Sequence, residues 1–62
     1  MESSSTFIDH ESGDEAYWSA RSHPDGVALS LAVSSGVDVD LLLDFDTARS
    51  LASAILAACP TP

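Results

Sequence analysis

Two alternating apolar stretches, separated by a turn that contains a glycine, constrain the fold of this chain more than any other feature. In residues 27–33 and again in residues 37–43, every second side chain is a valine or a leucine. Successive side chains of a β-strand point to opposite faces, so this pattern predicts two strands with one apolar face each. Ser-Ser-Gly at residues 34–36 predicts the tight reversal that pairs them as a hairpin. A slip of one residue would bury Asp38 and Asp40, so the apolar faces also set the register.

A third strand is predicted before this hairpin, over residues 15–22. Tyr17 and Trp18 favour a pleated surface and, as neighbours, point to opposite faces of it. His-Pro-Asp-Gly at residues 23–26 has the residue preferences of a type I turn, because proline presets the second position and glycine suits the fourth. We interpret His23 as an exposed turn residue, since the sequence offers it no nucleophile or orienting partner. The three strands would form an antiparallel meander.

An amphipathic helix is predicted to follow the hairpin, from about residue 46 to residue 58. Either Asp44 or Asp46 would accept hydrogen bonds as its N-cap, and the other acid would favour the positive end of the helix dipole. Its apolar side chains recur at helical spacing on one side, which we expect to be buried against the sheet: Ala48, Leu51, Ala52, Ile55 and Cys59. The predicted fold class is therefore α+β, a three-stranded antiparallel β-meander with one C-terminal α-helix packed on one face.

The predicted organisation is a single domain, residues 15–59, between two tails. A chain of 62 residues has room for one domain at most. Residues 1–14 are rich in serine and acidic side chains and bring only Phe7 and Ile8 as large apolar groups after the first methionine, so they predict a flexible acidic tail. Phe7 and Ile8 could still dock as a short edge strand or onto a partner. Residues 60–62 form the predicted C-terminal tail.

The charge of the chain limits its partners. Ten acidic residues against two basic ones give a formal net charge of −8. Direct binding to nucleic acid or to an anionic membrane needs a patch of lysine and arginine, so we expect neither. Residues 1–15 have no basic and apolar regions of the signal-peptide type, and the longest uncharged, mostly apolar run, residues 50–59, is too short to span a bilayer. We therefore expect a cytoplasmic protein.

No catalytic, cofactor or metal site is predicted. One cysteine and two histidines without paired spacing, His10 and His23, do not make a zinc site. The acidic residues of the second hairpin strand, Asp38 and Asp40 among them, lie on an extended segment and not on the turning loop that calcium needs. We interpret them as a solvated strand face. The chain also has no glycine-rich phosphate loop, so we expect no enzyme and no cofactor.

Self-association is the expected source of additional stability. Below about 70–80 residues a single core rarely supplies more than about 3–5 kcal/mol, and one cysteine allows no internal disulfide. We expect a homo-oligomer, most simply a dimer. If the helix covers one sheet face, the other face or an exposed strand edge becomes the candidate interface. On that other face we place Trp18, Ala28, Ser30, Ala32 and Leu42, with Tyr17 as the alternative to Trp18.

Residues 23–58 carry a resemblance to a group of known proteins. Their stretches HPDGVALSLAV and VDVDLLLDFDTARSLASAILAA lead from a β-hairpin into an Asp-capped helix rich in alanine and leucine. This arrangement resembles small uncharacterised proteins of high-GC actinobacteria and their phages. The resemblance implies no activity, and it transfers no functional residues to this chain.

Two function classes follow from these observations. The first is a small acidic protein–protein interaction or regulatory module without catalytic activity, which acts as a homodimer on an unknown protein partner. The alternative is a phage-type inhibitor or nucleic-acid mimic, whose acidic surface at Asp38 and Asp40 binds a basic groove on a DNA-binding protein. Binding by a mimic should weaken steeply with ionic strength, whereas an apolar interface should not.

Overall fold

Four strands and one helix make up the chain in this computed structural model, which describes residues 1–61. The elements are β1 (Glu2–Ile8), β2 (Glu15–His23), β3 (Gly26–Val33), β4 (Val37–Leu43) and α1 (Phe45–Ala58). The strands form one antiparallel sheet in chain order, β1-β2-β3-β4. The α+β class is confirmed. The predicted C-terminal tail, residues 60–62, lies partly outside the described residues.

The prediction of three strands is wrong, because β1 adds a fourth strand within residues predicted as a flexible tail. All seven residues of β1 are exposed, so apolar burial does not explain this strand. It pairs along its whole length with β2, from Glu2 opposite Arg21 to Ile8 opposite Glu15. This pairing gives hydrogen-bond partners to the backbone N–H and C=O groups along one edge of β2, which would otherwise bond to water. Backbone hydrogen bonding, which composition does not reveal, therefore orders this segment.

A hydrogen-bonded turn around Asp9 connects β1 to β2. The Asp9 backbone N–H donates to the carbonyl of Asp14 at 2.9 Å, and the Gly13 N–H donates to the carbonyl of Asp9 at 2.7 Å. The Asp9 carboxylate accepts from the Ser12 hydroxyl at 2.8 Å and from the Glu11 N–H at 3.1 Å. These bonds, that of Ser12 first, lower the pKa of Asp9 below its ordinary value of 3.8.

The β3–β4 hairpin brings the apolar side chains of both strands onto one face, as the alternation predicts. Leu29 lies opposite Leu41, and Val33 lies opposite Val37. Gly36 closes the turn with a φ of 113°, a region that glycine enters without steric cost, and its N–H donates to the carbonyl of Val33 at 2.9 Å. The polar partners on the opposite face include Ser30 and Asp40.

The β2–β3 turn uses His23 and Gly26 for structural purposes. His23 is exposed, and its Nδ1 accepts a hydrogen bond from the Asp25 N–H at 3.0 Å. Gly26 is buried, and a Cβ at this position would collide with the carbonyl oxygen of Leu43. The absence of a side chain at Gly26 thus makes room for the junction at which β4 ends and the helix begins.

The helix begins at Phe45 with Asp44 as its N-cap. The Asp44 carboxylate accepts a hydrogen bond from the Thr47 N–H at 2.9 Å, and Asp46 lies in the first turn, where its charge favours the helix dipole. At the other end the Cys59 N–H donates to the carbonyl of Leu56. Both roles predicted for the two aspartates are confirmed.

The helix does not cover a face of its own sheet. It lies against β3 and β4, and its large apolar residues are exposed: Leu51 exposes 41%, Ile55 57% and Leu56 74% of their areas. The prediction that Leu51, Ile55 and Cys59 are buried against the sheet is therefore wrong. The connection from β4 consists of Asp44 alone, which is also the N-cap of the helix.

The interior of the molecule is correspondingly small. Among residues 1–61, only Ala16, Ser19 and Gly26 are buried, all on the two central strands. The radius of gyration is 12.8 Å, against about 10.6 Å for a compact domain of this length. No helix in the described part of the chain is long and apolar enough to cross a membrane.

Candidate functional site

The sheet has one face that bears no charged side chain, which we call the apolar face. It consists of the odd-numbered residues of β1, β3 and β4 and the even-numbered residues of β2, because cross-strand partners share a face. The two hairpin strands contribute only valine and leucine to it. Phe45, the first residue of the helix, borders a shallow depression at one end of this face beside Ala20 and Val27.

Much of the apolar face is open to solvent. Five of its large apolar side chains are exposed: Phe7, Leu31, Val37, Val39 and Leu41. Trp18 is half-buried between its cross-strand partners Ser5 and Leu31. Monomeric proteins rarely leave a contiguous apolar surface of this kind uncovered, and such surfaces mark sites of interaction. The apolar face is therefore the principal candidate functional site.

The opposite surface of the sheet, which we call the polar face, carries the charged strand residues. Arg21, Asp38 and Asp40 border a shallow depression there, with the buried Ser19 among its lining residues. The Ser30 hydroxyl donates to the Asp40 carboxylate at 2.6 Å, so this cross-strand pair is satisfied within the chain. Hydrogen bonding and hydration can stabilise this face without a partner.

The residues predicted to form an interface are divided between the two faces. Ala28, Ser30, Ala32 and Leu42 lie together on the polar face. Trp18 lies on the apolar face, because the β2–β3 register sets it opposite Leu31. The structure therefore does not bring Trp18 together with the other four. Tyr17, which the sequence offered as the alternative to Trp18, lies opposite Ala32 on the polar face.

The accessible surface of the chain shows how much area is uncovered. The chain exposes 4866 Å², whereas a compact monomer of 6.5 kDa would expose about 3,800 Å². The excess is about 1,000 Å², close to the roughly 800 Å² that each partner buries in a protein–protein interface of standard size. The missing burial thus has the magnitude of one interface.

The residues that sequence reasoning missed are the exposed apolar side chains of the sheet and the helix. The alternation assigned Leu31 and Leu41 to a buried face, and helical periodicity did the same for Leu51 and Ile55. The sequence signal that could have found them is the short connection at Asp44. A single residue between strand and helix leaves no length for the chain to reverse over its own sheet.

The titratable groups of the structure have structural roles or lie at the surface. Hydrogen bonds from Thr47 lower the pKa of Asp44 below its ordinary value of 3.8. Arg49 forms an exposed ion pair with Asp46 at 3.5 Å and lies 5.9 Å from the centre of the Phe45 ring. Within residues 1–61, no three histidine, cysteine or acidic side chains are grouped so that they could hold a metal ion.

Comparisons with known proteins add no relative to this description. Neither the protein-family models, nor the curated proteins, nor the solved structures include a match to this chain. The functional argument therefore depends on the two faces of the sheet and on the helix.

Proposed function

We propose that the chain is a non-catalytic protein–protein interaction or regulatory module that acts as a homodimer. The observation that supports this function is the open apolar face, with Leu31, Val39 and Leu41 exposed at its centre and along β4. The excess accessible surface corresponds to one interface per chain. A partner that covers this face would supply the core that the chain lacks alone.

The distribution of charge is compatible with a second copy as that partner. Two chains of net charge −8 repel each other, so a homodimer needs an interface away from the acidic side chains. The apolar face meets this need because its charged neighbours on the strands, such as Asp38 and Asp40, point to the opposite side. A symmetric dimer would keep both acidic surfaces in water.

Light scattering coupled to size-exclusion chromatography tests this function. We expect a mass of twice 6.5 kDa at micromolar concentration, with dissociation on dilution. A monomeric mass throughout that range would overturn the homodimer. The mass should be measured across pH 6 to pH 8 at physiological salt, so that the result does not depend on one buffer condition.

A second candidate function is an acidic surface that binds a basic groove on a DNA-binding protein. Its supporting observation is that Asp38 and Asp40 are exposed together on the polar face, which a dimer built on the apolar face leaves free. Duplex DNA should then compete with the chain for a basic DNA-binding protein, and added salt should weaken the complex steeply. Asp38→Lys with Asp40→Lys should abolish the binding while the dimer persists. Binding that survives this double change would contradict the mimic.

A further inference from the structure

Helix α1 and the apolar face are two uncovered surfaces of similar length. A helix of 14 residues is about 21 Å long, and a strand of seven residues is about 23 Å long. The apolar stripe of the helix, which we define as Ala48, Leu51, Ala52 and Ile55, is half-buried only at Ala48. One surface could therefore cover the other along its full length.

The chain does not bring these two surfaces together on its own. Asp44 is the sole residue between β4 and the helix, with φ −65° and ψ 165°, and its carboxylate is engaged by the Thr47 N–H. Turning the helix back over its own sheet would need this cap to break and a longer connection to replace it. Toward the end of the helix the apolar residues are exposed in the single chain, with Ile55 at 57% and Leu56 at 74% of their areas.

We propose that helix α1 of each copy lies across the apolar face of a second copy, in a reciprocal exchange. This inference rests on the homodimer proposed above and names the surfaces that form it. A two-fold axis makes the contact self-complementary, because each chain gives one helix and receives one. The contact closes after two chains, so it does not extend into a filament.

The charges of the two surfaces fit this exchange. The apolar face has no charged residue, and the helix has none after Arg49, so residues 50–59 enter the contact without a carboxylate or a cation. The charged residues of the helix, Asp46 and Arg49, lie in its first half, near their own sheet, and pair with each other. The exchange thus buries apolar area without placing like charges against each other.

Chemical crosslinking between two differently tagged chains tests the exchange. Both chains carry Cys59→Ser, which removes the native thiol; one also carries Ile55→Cys, and the other carries Val39→Cys or Asp40→Cys. Val39 and Asp40 are adjacent, both exposed, and point to opposite faces. With a short bismaleimide we expect a covalent heterodimer from the Val39→Cys chain, and loss of this product from the Asp40→Cys chain.

Two further measurements separate the possible failures. A chain with both Ile55→Cys and Val39→Cys should give covalent dimers, and a crosslinked monomer instead would overturn the exchange by showing that the helix covers its own sheet. Light scattering of the same samples reports whether the dimer exists. A dimer with equal products from Val39→Cys and Asp40→Cys would overturn the exchange alone, whereas a monomer would overturn the homodimer with it.

Discussion

The two faces of the sheet are built from the same strands and differ in what they need for stability. On the polar face, Ser30 and Asp40 satisfy each other across β3 and β4, and the remaining carboxylates are exposed to solvent. On the apolar face, Leu31 and Val39 are cross-strand neighbours of the same kind, but both remain exposed. The charged and polar groups of one face are satisfied by each other or open to water, whereas the valines and leucines of the other face are left partly uncovered.

The difference shows that backbone hydrogen bonding forms the sheet even where apolar side chains are not buried. The sheet is held by continuous antiparallel pairing, which even the wholly exposed β1 obtains from β2. Apolar burial, the dominant favourable term in folding, is incomplete, because the single chain leaves much of its apolar face open. In the proposed dimer, a chain of this size with so small an interior would gain stability by association.

The largest effect is expected from a charge placed on the apolar face. Leu31 and Leu42 are both exposed in the single chain, at 41% and 54%, and lie on opposite faces. We expect Leu31→Asp to abolish the dimer at micromolar concentration, because an unpaired buried carboxylate costs several kcal/mol. The matched control, Leu42→Asp, should leave the dimer intact. Light scattering measures both variants.

The opposite outcome of this pair would be equally informative. If Leu42→Asp dissociated the dimer and Leu31→Asp did not, the interface would lie on the polar face, with Ala28, Ser30 and Ala32. If neither variant changed the mass of a dimer, the contact would lie outside both sheet faces, at a strand edge or between the helices. Each result selects one surface, because both substitutions introduce the same side chain at exposed positions.

A smaller effect is expected from shortening a side chain in the apolar stripe of the helix. Truncating a buried isoleucine to alanine costs about 2–5 kcal/mol, so Ile55→Ala should weaken the dimer by at least roughly thirtyfold if a partner sheet covers it. In an isolated chain Ile55 is mostly exposed and the same change would be nearly neutral. Ala57→Ser, outside the stripe, is the control.

Trp18 provides the measurement for this comparison. It is half-buried on the apolar face, and it is the chain's single tryptophan. Its emission should move to shorter wavelength as concentration rises and the face is covered, with a midpoint that Ile55→Ala moves to higher concentration. An emission maximum that does not change with concentration in a chain shown to dimerise would contradict coverage of this face.

The sequence predicts the paired strands and the helix well, because their signals are local. Each signal acts on the backbone next to it. These signals are the alternation in β3 and β4, the proline and glycine in the turns, and Asp44 before an apolar helix. β1 was missed because its serines have no apolar pattern, and its order comes from hydrogen bonds to a strand whose paired residues are about 7 to 19 positions away in the chain. Periodicity cannot report a pairing of this kind.

The candidate site was predicted less well, for a different physical reason. Alternation identifies which side chains share a face, and it correctly groups Ala28, Ser30, Ala32 and Leu42. It does not show what covers a face. Covering the sheet with the chain's own helix was the simplest assumption, and the one-residue connection at Asp44 prevents it. Trp18 was grouped with the wrong set because the β2–β3 register depends on the length of the turn.

Salt offers a weaker but independent way to separate the faces. Raising the ionic strength from about 0.1 M to about 1 M shortens the Debye length from about 10 Å to about 3 Å. Repulsion between two chains of charge −8 is thereby reduced, so the dimer dissociation constant should fall several-fold. Asp38→Asn with Asp40→Asn should reduce this dependence. A dimer that weakens with salt would indicate an interface that depends on ion pairs.

The smallest effect concerns Asp44, which lies outside both faces and controls the direction of the helix. Because hydrogen bonds from Thr47 lower the pKa of Asp44 below 3.8, the folded state favours its ionised form. Its contribution to stability is complete above pH 3.8, the ordinary value, and is lost as the pH falls through the lowered pKa. Helicity measured by circular dichroism should decrease slightly over that interval.

Asp44→Asn keeps a capping oxygen and should remove this acid-dependent loss, whereas Asp9→Asn, in the distant β1–β2 turn, should leave it unchanged. If Asp44→Asn left the helical titration as it was, the ionisation of Asp44 would not be the source of the acid-dependent loss of helicity.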